Sequence, residues 1–521
     1  MHDPGMTPEL DDALAQPFVA LADLVALHAA HRPGHAALIH DERSLSFAEL
    51  DRRVDRIAAA LQRDSVGIGD TVAIAASNAI EYAAVLLGAL RTGAAAAPIP
   101  QSTAPAALAA MVADSGARHL FIDGAVGRAL GPLRQGITPH LIAIDGSPVG
   151  TPIEEWLGTT HAKPRPVAVT ADAPFNVIYS SGTTGTPKGI VQPHAMRWAQ
   201  VKRGASYGYG PSAVTLVSTP LHSNTTLVSF FPAIALGGTV VLMAKFDAGR
   251  FLELAQRHRV THVMLVPVQY QRILAHDDFA RRDVSSFRAK FCTSAPFDPA
   301  VKAEVLERWP GGLFEFYGMT EGGGTCVLFA HERPDKLHTV GQPGPGHDIR
   351  VIDEAGRELP RGEVGEIVGH SPAMMTGYLR RPDATAAAEW FDADGKRYIR
   401  TGDLGRFDDD GFVVLMDRRK DMIISGGFNI YPSDLEAALR AHPDVADVAV
   451  VGVPSPAWGE TPVAFVVPAD AARFDAEAVR GWANARLGAL QRIAAVTAIA
   501  TLPRSPIGKV LKRELRDGYA R

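Results

Sequence analysis

Residues 175–189 read FNVIYSSGTTGTPKG (Phe175–Gly189). The first half is a short apolar run of strand type that ends in Ser180 and Ser181. The second half is a flexible loop of Gly182, Thr183, Thr184 and Gly185 closed by Lys188, with backbone N–H groups and hydroxyls able to wrap an oxyanion. The common P-loop order fails: Pro187 stands where its second glycine belongs, and Gly189 follows the lysine in place of Ser or Thr. Taken alone the loop reads equally as a surface turn.

The surrounding chain fixes the setting. TVAIAAS (Thr71–Ser77) is strand-like, IEYAAVLLGALRTG (Ile80–Gly93) helical and AAAAPIP (Ala94–Pro100) strand-like again. THVMLVP (Thr261–Pro267) follows the helical FLELAQRHRV. This βαβα rhythm predicts an α/β fold, with a largely parallel, helix-covered sheet. Between about 340 and 416, HDIRVID, GEVGEIVG and GFVVLMD are short strands set off by turns, predicting a β-barrel-like or distorted-sheet subdomain. Asp408–Gly411 (DDDG) reads as a hairpin turn. After Lys420, about a hundred residues read as a separate small α+β domain. The expected division is 1–419 and 420–521.

Composition excludes several classes of function. The chain has 521 residues and a net charge of −5, giving no electrostatic footprint for nucleic acid or an anionic membrane. Cys292 and Cys326 are the only cysteines, which suggests a reducing compartment and buried thiols. The acidic start MHDPGMTPELDD does not resemble a signal peptide, so a cytoplasmic location is expected. From Gly204 to Ala244 there is no charged residue, but Pro232, Gly237 and Gly238 break the stretch into helix, turn and strand, against a membrane span. GHSPA (Gly369–Ala373) nearly matches a nucleophile elbow, yet Pro372 lacks the N–H an oxyanion would need. There is no HExxH and no paired-Cys site.

YSSGTTGTPKG, YGMTE (Tyr317–Glu321), TGDL (Thr401–Leu404), DRRKDMIISGGFNIYPSDLE (Asp417–Glu436) and PRSPIGK (Pro503–Lys509) occur in this order. Together they resemble the adenylate-forming superfamily of acyl- and aryl-CoA synthetases, luciferases and peptide-synthetase adenylation domains, from about residue 20 to the end. The resemblance implies that a carboxylic acid and ATP give an acyl-adenylate and pyrophosphate, and that a thiol then displaces AMP. Ser180, Ser181, Gly182, Thr183, Thr184, Gly185 and Lys188 would hold the outer phosphates, and Thr320 would donate to the α-phosphate and the carboxylate. Glu321 and Thr183 would take Mg²⁺. Glu315, Phe316, Tyr317 and Gly318 would border the adenine, and Asp403 and Arg418 the ribose. Lys509, delivered by a loop hinged on Gly508, would bridge carboxylate and α-phosphate. Lys420 matches the hinge of a mobile C-terminal domain, and Gly426 and Gly427 would leave a tunnel for the pantetheine arm of coenzyme A. Phe428 stands where many relatives have Glu, so acidic help to thiol attack is not expected there. Each residue alone has a plain alternative: Thr320-Glu321 could be a capping pair and Asp403 a turn residue.

His222 takes the aromatic position of a family segment and Ser223 that of its histidine, so His222 is either a gate between acyl and thiol channels or a packed ring. His222, Thr226, Ser294, Ala295, Gly318, Gly322 and Gly323 would line a roomy apolar pocket for an aromatic, alicyclic or medium-chain acid. No acidic residue in 222–244 would meet an amino group, against an amino-acid-activating domain. The expectation is a carboxylate–CoA ligase, monomer or homodimer. Loading of a carrier protein is the second reading, and a noncatalytic nucleotide-binding regulator the third.

Overall fold

The computed structural model describes residues 5–136, 139–158, 163–180, 188–418, 421–425, 428–456, 458–487, 491–505 and 508–519. The chain divides into two compact units. One comprises Met1–Leu337, Gly344–Asp348 and His370–Ile399, the other His338–Pro343, Ile349–Gly369 and Arg400–Arg521. The β-rich stretch 340–416 is thus shared between them.

The first unit holds two large sheets. One runs Thr151–Pro152, His140–Ala143, His119–Ile122, Thr71–Ala75, Ala95–Pro98, β1 (Pro174–Ser180), β2 (Lys188–Pro193) and Gly377–Tyr378. Its strands are parallel up to β1, then β2 turns back antiparallel. The expected helix appears over Ile80–Arg91 between two of these strands. The helix Phe47–Arg63 starts at a capping box in which Glu49 N–H donates to Ser46 Oγ and Ser46 N–H donates to Glu49. Leu50, Val54, Ile57 and Leu61 then recur at helical spacing and are fully buried.

The second sheet takes two early strands and several from the chain after α1 (His194–Ser206), with α2 (Asn224–Ala235) connecting two of the latter. It runs Arg43–Ser46, Ala36–His40, Thr239–Leu242, Val214–Val217, His262–Leu265, Ala289–Cys292, β3 (Gly312–Gly318) and β4 (Thr325–Phe329). Neighbours from Ala36–His40 through β3 are parallel, and β4 is antiparallel to β3. The uncharged stretch after Gly204 therefore contains α2 and the strand Thr239–Leu242, parted at Gly237 and Gly238, whereas Pro232, expected as a breaker, lies inside α2. Among the described residues no helix is long and apolar enough to cross a membrane. Cys292 and Cys326 are buried free thiols.

In the second unit, β5 (Arg397–Phe407) and β6 (Val413–Arg418) form a hairpin with a bulge at Leu404–Gly405, the turn expected at the DDDG run. A separate sheet pairs Val445–Ser455 antiparallel with Gly459–Pro468, and the latter parallel with Ala495–Ala498. Helices Pro432–Arg440 and Ala476–Asn484 bury Leu435, Leu439, Val479 and Ala483 with Val448, Val450 and Val466 of that sheet. The α+β pattern read after residue 420 is present.

Candidate active site

β1 and β2 pair so that Ser180 lies opposite Lys188, and they converge on the loop between them. Ser181, Gly182, Thr183, Thr184 and Gly185 lie outside the described residues, as does the side chain of Ser180. Lys188 is described, with its ammonium 5.2 Å from the centroid of the Tyr378 ring. Tyr378 pairs with Ile190 of β2 and donates its hydroxyl to Glu321 Oε1 at 2.8 Å. Burial, reinforced by the Glu321 charge, raises the phenol's pKa, so it remains a donor. Lys188, Tyr378 and Glu321 therefore form one contiguous group, with a cation over a ring whose hydroxyl orients a carboxylate.

The turn carrying Thr320 and Glu321 is held from three sides. Gln192 Nε2 donates to the Thr320 carbonyl at 2.6 Å. Met375 N–H donates to the Glu321 carbonyl at 2.8 Å, and Ser371 Oγ to that of Gly322 at 2.7 Å. The serine of the near-elbow is thus spent on a structural bond. Gly322 has φ +77°, and a Cβ there would collide with the carbonyl oxygen of Ala373, so only glycine fits.

Gln192 is itself fixed by a buried guanidinium. Arg197 donates to Gln192 Oε1, to Asn176 Oδ1 at 3.0 Å and to Gln200 Oε1 at 2.8 Å. It also lies 5.4 Å from the Phe231 ring centroid and 5.9 Å from that of Phe175. Its pairings among the described residues are with amides and rings, none with a carboxylate. Burial lowers its pKa to about 9, which leaves it charged at neutral pH.

Of the residues expected around the acyl group, His222 is buried and its Nδ1 has no partner among the described residues. Burial lowers its pKa to about 4, so it is a neutral imidazole. Thr226 Oγ1 donates to the Pro220 carbonyl at 2.6 Å and lies 2.7 Å from Thr219 Oγ1. Ser294, at φ +82°, meets the Thr225 hydroxyl at 2.5 Å, bringing the loop after Ala289–Cys292 against the start of α2. Gly318 ends β3 opposite Thr325; Gly323 is buried and Ala295 partly so.

Alternation along β3 separates its residues. Glu315 points inward, where its carboxylate meets the buried Lys302 ammonium. Burial raises its pKa to about 7, against the opposing pull of Lys302. Its side chain is therefore turned into the interior, and only its backbone faces the strand end. Phe316 lies on the other face, stacked 5.6 Å from Phe291.

In the second unit Asp403 stands opposite Arg418 on the β5–β6 hairpin, and Asp403 N–H donates to Thr401 Oγ1 at 3.0 Å. The side chain of Arg418, and Lys420, Gly426 and Gly427, lie outside the described residues. Lys509 rides on a tight turn: Gly508 N–H donates to Ser505 O and Ser505 N–H to Lys509 O, each at 2.8 Å. Gly508 takes φ +77°. Arg504 clamps this turn through Gly508 O at 2.7 Å and Asp447 Oδ2 at 2.6 Å.

The profile of the AMP-binding enzyme family matches residues 25–379, and that of the AMP-binding enzyme C-terminal domain matches 434–509. The chain belongs to this family. Adenylate-forming enzymes of the acyl- and aryl-CoA synthetase type resemble it over nearly its whole length. A feruloyl-CoA synthase of Amycolatopsis is 35% identical, covering 94% of this chain and 96% of its own. The fatty acid–[acyl-carrier-protein] ligase ScoC of Streptomyces coeruleorubidus is 32% identical, with 96% of each chain covered. The solved amide bond synthetase McbA of Marinactinospora thermotolerans superposes with a TM-score of 0.84 at 31% identity, covering 96% of this chain and 99% of that one. Within this AMP-binding enzyme, Tyr378, Gln192 and Arg197 are additions that the motifs do not announce.

Proposed function

We propose that this enzyme activates a carboxylic acid with ATP and passes the acyl group to coenzyme A. The carboxylate oxygen attacks the α-phosphorus, the bond to the β-phosphate oxygen breaks, and pyrophosphate leaves. The thiol sulfur then attacks the acyl carbon, and the carbon–oxygen bond to AMP breaks. The observation that carries this reading is the Lys188–Tyr378–Glu321 group beside the braced Thr320, in a chain that matches both AMP-binding domains. Lys188 and the loop before it suit the charge leaving on pyrophosphate. Thr320 suits the α-phosphate and carboxylate, and Lys509 is the second cation of adenylation. Asp403 and Arg418 would take the ribose, with Glu315, Phe316, Tyr317 and Gly318 beside the adenine. His222, Thr226, Ser294, Ala295, Gly318, Gly322 and Gly323 would line the acyl pocket. Lys420 would be the hinge, and Gly426 and Gly427 the path of the pantetheine arm.

The donor set fits Mg²⁺. Glu321 has one oxygen engaged by Tyr378 and one with no partner among the described residues. A Mg²⁺ ion at Glu321 would keep phosphate and water oxygens in its remaining positions. Bound there, it would neutralise the triphosphate. The two buried free thiols fit a reducing, cytoplasmic setting.

The likeness to ScoC favours one second reading, in which a carrier protein is the acceptor. Acid-dependent exchange of labelled pyrophosphate into ATP tests adenylation. AMP release that requires coenzyme A supports the first acceptor, and AMP release that requires a phosphopantetheinyl carrier supports the second.

A further inference from the structure

Arg203 lies in the last turn of α1, with its guanidinium 5.5 Å from the centroid of the Phe316 ring. It is largely enclosed yet partly open to solvent. Among the described residues no carboxylate, carbonyl or hydroxyl bonds to its guanidinium, and the Tyr207 phenol lies near it. The end of α1 favours a cation there, but a helix end gives the five N–H groups of a guanidinium no acceptors. The buried guanidinium of Arg197 is satisfied by three amides. Arg203 is not.

The neighbours place this cation. Phe314, Phe316 and Gly318 share one face of β3, and Gly318 leads to Thr320. Two residues of strand advance about 7 Å. Arg203 therefore sits behind the far end of the strand face that would carry the body of an acid held at Thr320. The Phe316 ring under it packs against the rings of Tyr207 and Phe291. His347, close enough for Arg203 to affect its titration, is a second polar group there, and its Nδ1 has no partner among the described residues.

We propose that Arg203 binds an oxyanion at the far end of the substrate, so that the preferred acid is a dianion: one carboxylate is activated, and an apolar or aromatic body separates it from a second carboxylate or a sulfonate. The inference rests on the ligase reading above and narrows its substrate class. A guanidinium fork matches either oxyanion in two-point fashion.

The test compares matched probes: benzoate with terephthalate and 4-sulfobenzoate, and cinnamate with 4-carboxycinnamate. Pyrophosphate exchange is measured for the wild type, Arg203→Met and Arg203→Lys, alongside the shift in melting temperature caused by each probe without ATP. The wild type should favour the dianions. In Arg203→Met the ratio of kcat/KM for dianion over monoanion should fall at least about tenfold, carried by KM, with Arg203→Lys in between. The stronger of the two dianion series names the oxyanion. The proposal is overturned if that ratio is the same in wild type and Arg203→Met, or if the wild type prefers the monoanions. Should no acid support exchange, the ligase reading fails separately. The melting shifts then decide: stabilisation by dianions that Arg203→Met loses upholds the site, and equal shifts for both probe classes sink it.

Discussion

In the proposed reaction Lys509 and Tyr378 would serve charge in different ways. Lys509 is held by backbone turns and the Arg504–Asp447 clamp, so removing its ammonium should leave that turn in place. Lys509→Ala is expected to lower acid-dependent pyrophosphate exchange at least about a hundredfold, the scale of one transition-state charge contact. Conversion of supplied acyl-adenylate to thioester should persist; equal loss of both half-reactions would refute the assignment. Tyr378→Phe keeps the ring under Lys188 but removes the donor to Glu321. Its expected effect is a roughly tenfold weaker apparent Mg-ATP affinity, as for one bond to a charged group, read by magnesium titration of the exchange. Thr320, Glu321 and Lys509 are legible in the sequence as candidates because their motifs keep a fixed order. Tyr378 is not, because its partner strand lies nearly two hundred residues earlier and only the register of Tyr378 with Ile190 joins them. Glu315 shows the opposite limit: neighbouring residues in a motif face opposite ways once the strand alternates.

At the level of elements, the support of the Thr320 turn comes from β1, β2 and α1. Asn176, Gln192 and Arg197 are polar residues on elements whose periodicity reads as buried, and that pattern gives no hint that they satisfy one another. Arg197→Ala should cost about 3 kcal/mol or more in chemical denaturation, since the surrounding amides would lose a shared donor in a dry interior. Gly322→Ala should lower activity and melting temperature together, because both its positive φ and the Ala373 carbonyl oppose a side chain. A mutant with full activity would show that the turn is looser than described. The strands and helices themselves follow the apolar periods closely, as in Ile80–Arg91 and Pro432–Arg440. What periodicity does not reveal is sheet order: His262–Leu265 lies beside Val214–Val217, with a strand and two helices of the chain between them.

Over the whole molecule, three buried histidines and one partly buried shape the response to acid. His28, His194, His222 and His347 all lie in the first unit, each with its pKa lowered to about 4 by burial. From the ordinary histidine value of about 6.5 down to about 4, the unfolded chain binds protons that the folded chain refuses. Their contribution is fully present above that window and is lost as pH falls through it. Calorimetry at pH 7 and pH 5 should show the transition of the first unit moving down. His194→Phe, whose ring would keep the edge contact with Phe175, should reduce the drop. The Arg197 cluster behaves differently, since an amide oxygen takes up no proton at these acidities. The anchorage of Thr320 therefore has no acid setting of its own. Mild acidification should leave surviving molecules with native affinity for their acid, and activity should disappear by shrinkage of the active fraction instead of by progressive weakening of each site.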